Sequence, residues 1–374
     1  MKIISIVGAR PNFMKIAPFC RALATHQEVK HVLVHTGQHY DVRMSDSFFA
    51  DLGIPEPDVH LNIGSGSHAE QVGRTMIEFE KVVRAEKPDW IVVVGDVNAT
   101  CACSIVAKKE HVKLAHIEAG LRSGDMDMPE EVNRLVTDRL ADLLLTPDRI
   151  SSANLTAEGV QSHRIAFVGN IMIDTLEAER SKVAARNVTE LVKRELLDSR
   201  DIPALPDDGF AVMTMHRPSN VDQIETLKPL IDFLTDEVTK DMPLLWPIHP
   251  RARKQLELFG LWDKVRASVV LLNPLGYHDM LRLNMGARMM LTDSGGLQEE
   301  CCVLGTPCLT LRWNTERPVT LREHGGASIL VGNDVEKVRA AYHEVLHSTR
   351  MPQRPELWDG HTAERIVDAL LRAK

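Results

Sequence analysis

The chain has 374 residues, 44% hydrophobic and 26% charged, which is too long for one ordinary core and too apolar for disorder. Its formal net charge of -8 argues against a phosphodiester-backbone binder, which would carry a basic surplus. A small phosphorylated ligand, held by a few local cations, remains open.

From the N-terminus, Met-Lys-Ile-Ile-Ser-Ile-Val-Gly is too short an apolar run for a signal-peptide core. No window approaches the roughly 20 apolar residues of a membrane span. A soluble, cytoplasmic protein with no membrane partner is the expectation. Residues 2–7 read as a strand, and residues 13–23 have helical spacing, with Phe13, Ile16, Ala17, Cys20 and Leu23 on one side. Residues 31–35, 90–94, 112–117 and 164–168 are further strands, and 90–94 is apolar throughout, as in a parallel sheet buried on both faces. Residues 175–197 are charged and helical, and 201–209 form a Pro/Asp loop, so a domain boundary falls in this region. The alternation restarts with strands at 210–215, 244–248, 269–272, 288–292 and 307–311, and residues 362–373 form a closing amphipathic helix. The expected fold class is α/β, two Rossmann-like doubly wound domains facing a cleft, with ligand at the carboxyl ends of their strands. The expected domains are 1–170 with 361–374, and 171–360.

The polar motifs sit where those strands run out. Gly8-Ala-Arg-Pro-Asn12 precedes a helix, where Arg10 offers a bidentate contact to phosphate and Lys15 follows a turn later. Taken alone, this is as readily an ordinary β-α turn with an exposed arginine. Asp96, Glu118 and Glu130 (or Glu131) stand at or just beyond consecutive strand ends. Each alone could be a helix cap or a surface ion pair. Together they suggest a shared acid/base set whose like charges raise one another's pKa. Asp96 and Glu118 with His116 or His216 are a conceivable metal set, but the spacing follows no ligand pattern and no metal is expected. His216 and His249 occupy equivalent places after two strands of the second domain. Thr292-Asp-Ser294-Gly295-Gly296-Leu-Gln-Glu299-Glu300 is a strand-turn-helix whose backbone N–H groups suit a diphosphate. Glu299 or Glu300 could accept from ribose hydroxyls, and Arg317 is a second candidate cation. The six cysteines, Cys20, Cys101, Cys103, Cys301, Cys302 and Cys308, form no Cys-x-x-Cys pair and read as small buried hydrophobes.

In order along the chain, Gly8-Ala-Arg-Pro, His35-Thr-Gly-Gln-His-Tyr40, Gly95-Asp96, Glu118-Ala-Gly-Leu-Arg122, Pro129-Glu-Glu-Val-Asn-Arg134, Gly169-Asn170, His216-Arg217, Pro247-Ile-His249-Pro250, Asp293-Ser-Gly-Gly-Leu-Gln-Glu-Glu300 and Thr315-Glu-Arg-Pro318 resemble the non-hydrolysing UDP-N-acetylglucosamine 2-epimerases. The resemblance implies the glycosyltransferase-B architecture, a C-terminal helix crossing back to the first domain, a homodimer, and no metal or other cofactor. It implies that Ser294, Gly295, Gly296 and Glu300 bind UDP, and that Arg10, Lys15, Arg134, His249 and Arg317 line the phosphate and sugar region. Asp96, Glu118, Glu130 and His216 would carry catalysis. The implied reaction eliminates UDP to 2-acetamidoglucal and re-adds it with the proton on the other face of C2. Residues 123–128 form a shorter segment than in many bacterial members. The stretch after Gln38-His39 differs from relatives activated by a second UDP-sugar. An epimerase for UDP-2,3-diacetamido-2,3-dideoxyglucuronate and a hydrolysing epimerase releasing N-acetylmannosamine are the near alternatives. A glycosyltransferase or a non-catalytic nucleotide-sugar-binding regulator would be a different class.

Overall fold

A computed structural model describes residues 1–8, 10–37 and 52–373, with residues 10 and 11 described by backbone alone. The chain forms two compact units, residues 1–175 with 355–374, and residues 176–354.

The first unit is built on a seven-stranded sheet in the order β3-β2-β1-β4-β5-β6-β7, parallel throughout. Its strands are β1 (Lys2–Val7), β2 (Lys30–His35), β3 (Val59–His60), β4 (Trp90–Val94), β5 (Lys113–Ile117), β6 (Leu143–Thr146) and β7 (Ile165–Phe167). Side chains alternate across a strand, so Ile4, Ile6, Val32, Val34, Ile91 and Val93 share one core, while Ile3, Val92 and Val94 are buried elsewhere. Both faces are covered by helices, which is why β4 tolerates no polar residue. The strands β3 and β6 were not anticipated. The first has two residues, and Leu-Leu-Leu-Thr is too short for periodicity to separate strand from helix. The C-terminal helix Thr362–Arg372 belongs to this unit and packs on the helix Arg10–Ala24. Asp174 accepts the N–H groups of Thr362 and Ala363 at 3.0 and 2.7 Å, capping that helix from a distant part of the sequence.

The second unit has six parallel strands in the order β10-β9-β8-β11-β12-β13. They are β8 (Ala211–Thr214), β9 (Leu244–Pro247), β10 (Val270–Leu272), β11 (Met289–Thr292), β12 (Cys308–Thr310) and β13 (Ser328–Leu330), the last unanticipated. Met289 and Leu291 point into one core and Met290 into the other. Both sheets change winding direction beside their first strand, between β1 and β4 and between β8 and β11. Doubly wound sheets bind ligands at the carboxyl ends of such strands. All six cysteines are buried and unpaired in disulfides.

Candidate active site

In the first unit the chain turns at Gly95 directly after β4, with φ +67°. A Cβ there would lie 3.3 Å from both Glu118 Oε2 and Lys15 Nζ, so glycine admits the tight approach. Asp96 follows, partly exposed, and accepts from Arg134 Nη1 at 2.5 Å. Glu118, the first residue after β5, is buried and has φ +73°. That conformation costs a non-glycine residue on the order of 1–3 kcal/mol, and such strain concentrates at functional sites. Its backbone is held by an N–H bond to Leu145 O at 3.1 Å. Its carboxylate accepts from the buried ammonium of Lys15, on the helix Arg10–Ala24.

The arrangement corrects the expectation of carboxylates crowding one another. Each acid has its own buried cation, Lys15 for Glu118 and Arg134 for Asp96, so charge alternates. Arg134 also donates from Nε and Nη2 to Glu131 Oε2 at 3.0 and 2.6 Å. Glu131 in turn accepts the N–H groups of Ser123 and Gly124, each at 3.0 Å, fastening the loop before its own helix. Arg134 and these N–H donors outweigh burial and hold the Glu131 carboxyl below its usual range. Glu130 is exposed on the first turn of the helix Pro129–Leu140. Of the Glu130–Glu131 pair, it is Glu131 that joins Asp96 through Arg134. The Arg10 side chain and Gln38, His39 and Tyr40 lie outside the described residues.

One arrangement was not legible beforehand. His116, fully buried in β5, places Nδ1 2.6 Å from Asp138 Oδ1 and Nε2 2.8 Å from the Gly95 carbonyl. Asp138 Oδ2 also accepts from the Gly120 N–H at 2.9 Å and from Arg122 Nη1 at 2.7 Å. Burial would raise the Asp138 carboxyl, but His116 and Arg122 outweigh it and hold it low. One buried pair thus ties the turn carrying Asp96 to the turn carrying Glu118. Both His116 nitrogens face protein acceptors, so it is not available to the metal set considered from sequence. Among the described residues, no group of three His, Cys, Asp or Glu stands where a metal ion could be held. The sequence signal for this pair was slight: a histidine among the apolar residues Leu114, Ala115 and Ile117 of β5.

In the second unit, the carboxyl ends of four adjacent strands bound a pocket of about 200 Å³, lined by His216, His249, Leu275, Met280, Ser294 and Leu297 among others. The rings of His216 and His249 lie 5.3 Å apart. His249 caps its own helix, its Nδ1 accepting the Arg251 N–H at 3.1 Å. Ser294 begins the helix Gly295–Leu304 without capping it by side chain, and its N–H donates to Thr292 Oγ1 at 3.0 Å. A Cβ on Gly295 would fall 2.7 Å from Arg317 Nη1 and Glu316 Oε1, so this glycine is required by packing. At Gly296 no described atom lies within 4 Å of a Cβ, leaving that turn open to an approaching group. Arg317 is buried and pairs with Glu299 (2.8 Å) and with Glu316. Glu300 is buried beside Tyr277 and Asn284. Burial, together with the neighbouring Glu299 charge, outweighs these hydrogen bonds and pushes its carboxyl up to about 8. Asp293, overlooked as a functional residue, is fully buried and bonds to His216, Arg217 and Asn220.

Two parallel sheets in Rossmann order, one ending in cation-paired acids and the other in a glycine turn with histidines, define a two-domain α/β enzyme of the glycosyltransferase-B type. The fold of a lipopolysaccharide outer core galactosyltransferase is similar (TM-score 0.55, 12% identity, all of both chains covered). The family model described as UDP-N-acetylglucosamine 2-epimerase matches residues 21–371, and the chain belongs to that family. The chain is 41% identical to the UDP-N-acetylglucosamine 2-epimerase of Methanocaldococcus jannaschii, covering 100% of both. A crystal structure of the UDP-GlcNAc 2-epimerase from that organism, in complex with UDP-GlcNAc and UDP, superposes with TM-score 0.88 at 40% identity over all of both chains. The UDP-2,3-diacetamido-2,3-dideoxy-D-glucuronate 2-epimerase of Pseudomonas aeruginosa is 37% identical, again over all of both chains. Among the described residues, no helix is long and apolar enough to cross a membrane.

Proposed function

We propose that the protein interconverts UDP-N-acetylglucosamine and UDP-N-acetylmannosamine by eliminating and re-adding UDP. The observation that carries this reading is the full-length similarity to an epimerase crystallised with UDP-GlcNAc and UDP. The first unit supplies the proton chemistry. C2–H of the sugar is not acidic, so its removal must accompany C1–O cleavage. One of Asp96, Glu118 and Glu130 takes the C2 proton while the C1–O electron pair leaves with UDP, giving 2-acetamidoglucal. Re-addition of the UDP oxygen to C1 is matched by protonation of C2 from the opposite face by a second acid. The buried cations Lys15 and Arg134 pair with Glu118 and Asp96 and hold those carboxylates in place.

The second unit holds UDP. The Ser294-Gly295-Gly296 turn offers helix-start N–H groups to the diphosphate, and Glu300 hydrogen-bonds ribose. His216, His249 and Arg317 complete the set in this unit. The protein acts as a cytoplasmic homodimer, without metal or other cofactor.

Proton NMR of UDP-N-acetylglucosamine incubated with the pure protein in D2O tests the reading. Deuterium at C2 with appearance of UDP-N-acetylmannosamine is expected. A substrate that stays unlabelled and unchanged would overturn it. The 37% identity to the diacetamido-glucuronate epimerase makes that sugar nucleotide the second substrate for the same assay. Free N-acetylmannosamine with UDP would mark a hydrolysing enzyme.

A further inference from the structure

Two histidines share the pocket of the second unit, and their surroundings give their rings opposite proton arrangements. At His249, Nδ1 accepts an N–H, so the proton of the neutral ring sits on Nε2. At His216, Nδ1 lies 2.8 Å from Asp293 Oδ1. The other oxygen of that carboxylate accepts the N–H groups of His216 and Arg217 at 2.9 and 2.8 Å and the Asn220 amide at 3.1 Å. An ionised carboxylate can only accept, so every group facing it must donate. The 2.8 Å approach is an ion-pair contact, not an aligned hydrogen bond; a lone pair on Nδ1 would face the carboxylate there, so Nδ1 carries the proton, and Nε2, on the opposite side of the ring, is turned away from Asp293.

We infer that Asp293 is the positioning residue for His216: it holds the imidazole as the Nδ1–H tautomer, with Nε2 presented to the leaving diphosphate. The inference rests on the reading that His216 meets the diphosphate of a UDP-sugar. Asp293 is suited to this role because it is fully buried and its contacts fix both ring and main chain. Burial alone would raise its carboxyl, but the bonds from His216 and from the 216 and 217 N–H groups keep it low and ionised. A ring that carries protons on both nitrogens donates to Asp293 on one side and to the diphosphate on the other. As C1–O breaks, the leaving oxygen gains charge and the Nε2–H hydrogen bond to it strengthens. That is an interaction made mainly in the transition state. The proton stays on the ring, so re-addition of UDP leaves His216 unchanged. A buried aspartate that orients a histidine by its Nδ1–H is a known device in hydrolases. Here it would serve a leaving group that returns.

The sequence gives no periodic signal for the pair, since 77 residues separate the two positions. They meet because β8 and β11 are neighbours, with Thr214 in register with Thr292.

The test is histidine 15N NMR of the intact wild-type protein at mildly alkaline pH, assigned with His216→Gln and His249→Gln. The expected spectrum has His216 as Nδ1–H and His249 as Nε2–H. His216 found as Nε2–H would overturn the inference, whatever the enzyme turns over. Asp293→Asn should move His216 to Nε2–H and lower kcat for UDP-N-acetylglucosamine about 100-fold. KM should change much less. In a His216→Gln background, Asp293→Asn should cost less than about 3-fold more, because the two act as a unit. Equal losses in both backgrounds would show that Asp293 acts independently of His216 and would overturn the proposal. Should Asp293→Asn fail to fold, the wild-type tautomer decides. A wild type with the expected tautomers but no turnover would count against the substrate reading, not against the Asp293–His216 pair.

Discussion

The two units share a strand order and place their polar residues at the same topological point, yet they treat carboxylates in opposite ways. In the first unit Asp96 and Glu118 stand at strand ends, each against one buried cation. In the second, Asp293, Glu299 and Glu300 are drawn inward, and the strand ends present histidines, a serine and a glycine turn. The sheet determines where chemistry can occur, and the residues after each strand determine which chemistry it is. On the proposed reading, one unit is dressed for moving a proton and the other for holding an anion. The sharpest way to break that contrast is Asp96→Asn. We expect epimerisation to fall by about 10²–10⁴-fold, with UDP affinity from calorimetry unchanged within about 2-fold. Near-normal turnover would remove Asp96 from the proton chemistry. A matching loss of UDP affinity would erase the division of labour.

The alternation of charge in the first unit makes a second prediction. Arg134→Ala strips the cation from buried Glu131 and from Asp96. Breaking a buried pair by removing one partner costs on the order of 3–5 kcal/mol, to be read from urea unfolding. A loss below about 1 kcal/mol would mean that water replaces the guanidinium and that the network does not hold the turn.

Much of this was readable beforehand. Strands 2–7 and 90–94 were found with the observed ends, because β-branched runs bounded by glycine and by charge leave little choice. Asp96, Glu118, His216 and Ser294 were singled out because each follows a strand that periodicity could find. What stayed hidden depended on contacts across the sheet. Lys15 reaches Glu118 over 103 residues, and Asp138 reaches His116 over 22. No local pattern records such pairings. Hence the acids were read as crowding one another, when the cations that pair with them come from helices whose packing was unknown. Glu130 and Glu131 show the same limit. Both follow a helix-starting proline, and only the fold shows which one turns inward.

A third prediction concerns the inward carboxylates of the second unit. Glu300 is raised from 4.5 to about 8, chiefly by burial. The folded state therefore keeps a proton that the unfolded chain loses, and stability falls as pH rises through this window. The slope is up to about 1.4 kcal/mol per pH unit. Below the window both states are protonated, and above it both are ionised. Glu300→Gln keeps the neutral shape, so its stability between pH 5 and 8 should lack this decline. Thermal unfolding of the two proteins across that range measures it. Parallel curves would mean that Glu300 is ionised in the fold.

The smallest effect is expected at Ser294. If the second unit holds the diphosphate chiefly through helix-start N–H groups, the side chain is only one donor among several. Ser294→Ala leaves those N–H groups in place, and the hydroxyl does not cap the helix. The fold should therefore be undisturbed. One hydrogen bond to a charged group is worth about 1.5–3 kcal/mol when fully made, and a neutral one about 0.5–1.5. With water able to substitute for the lost hydroxyl, we expect UDP affinity to weaken about 3–10-fold at unchanged Tm. A loss beyond about 100-fold would shift the cradle from backbone to side chain. Unchanged affinity would take the Ser294 hydroxyl out of the site and leave anion binding to the backbone of the turn and the flanking histidines.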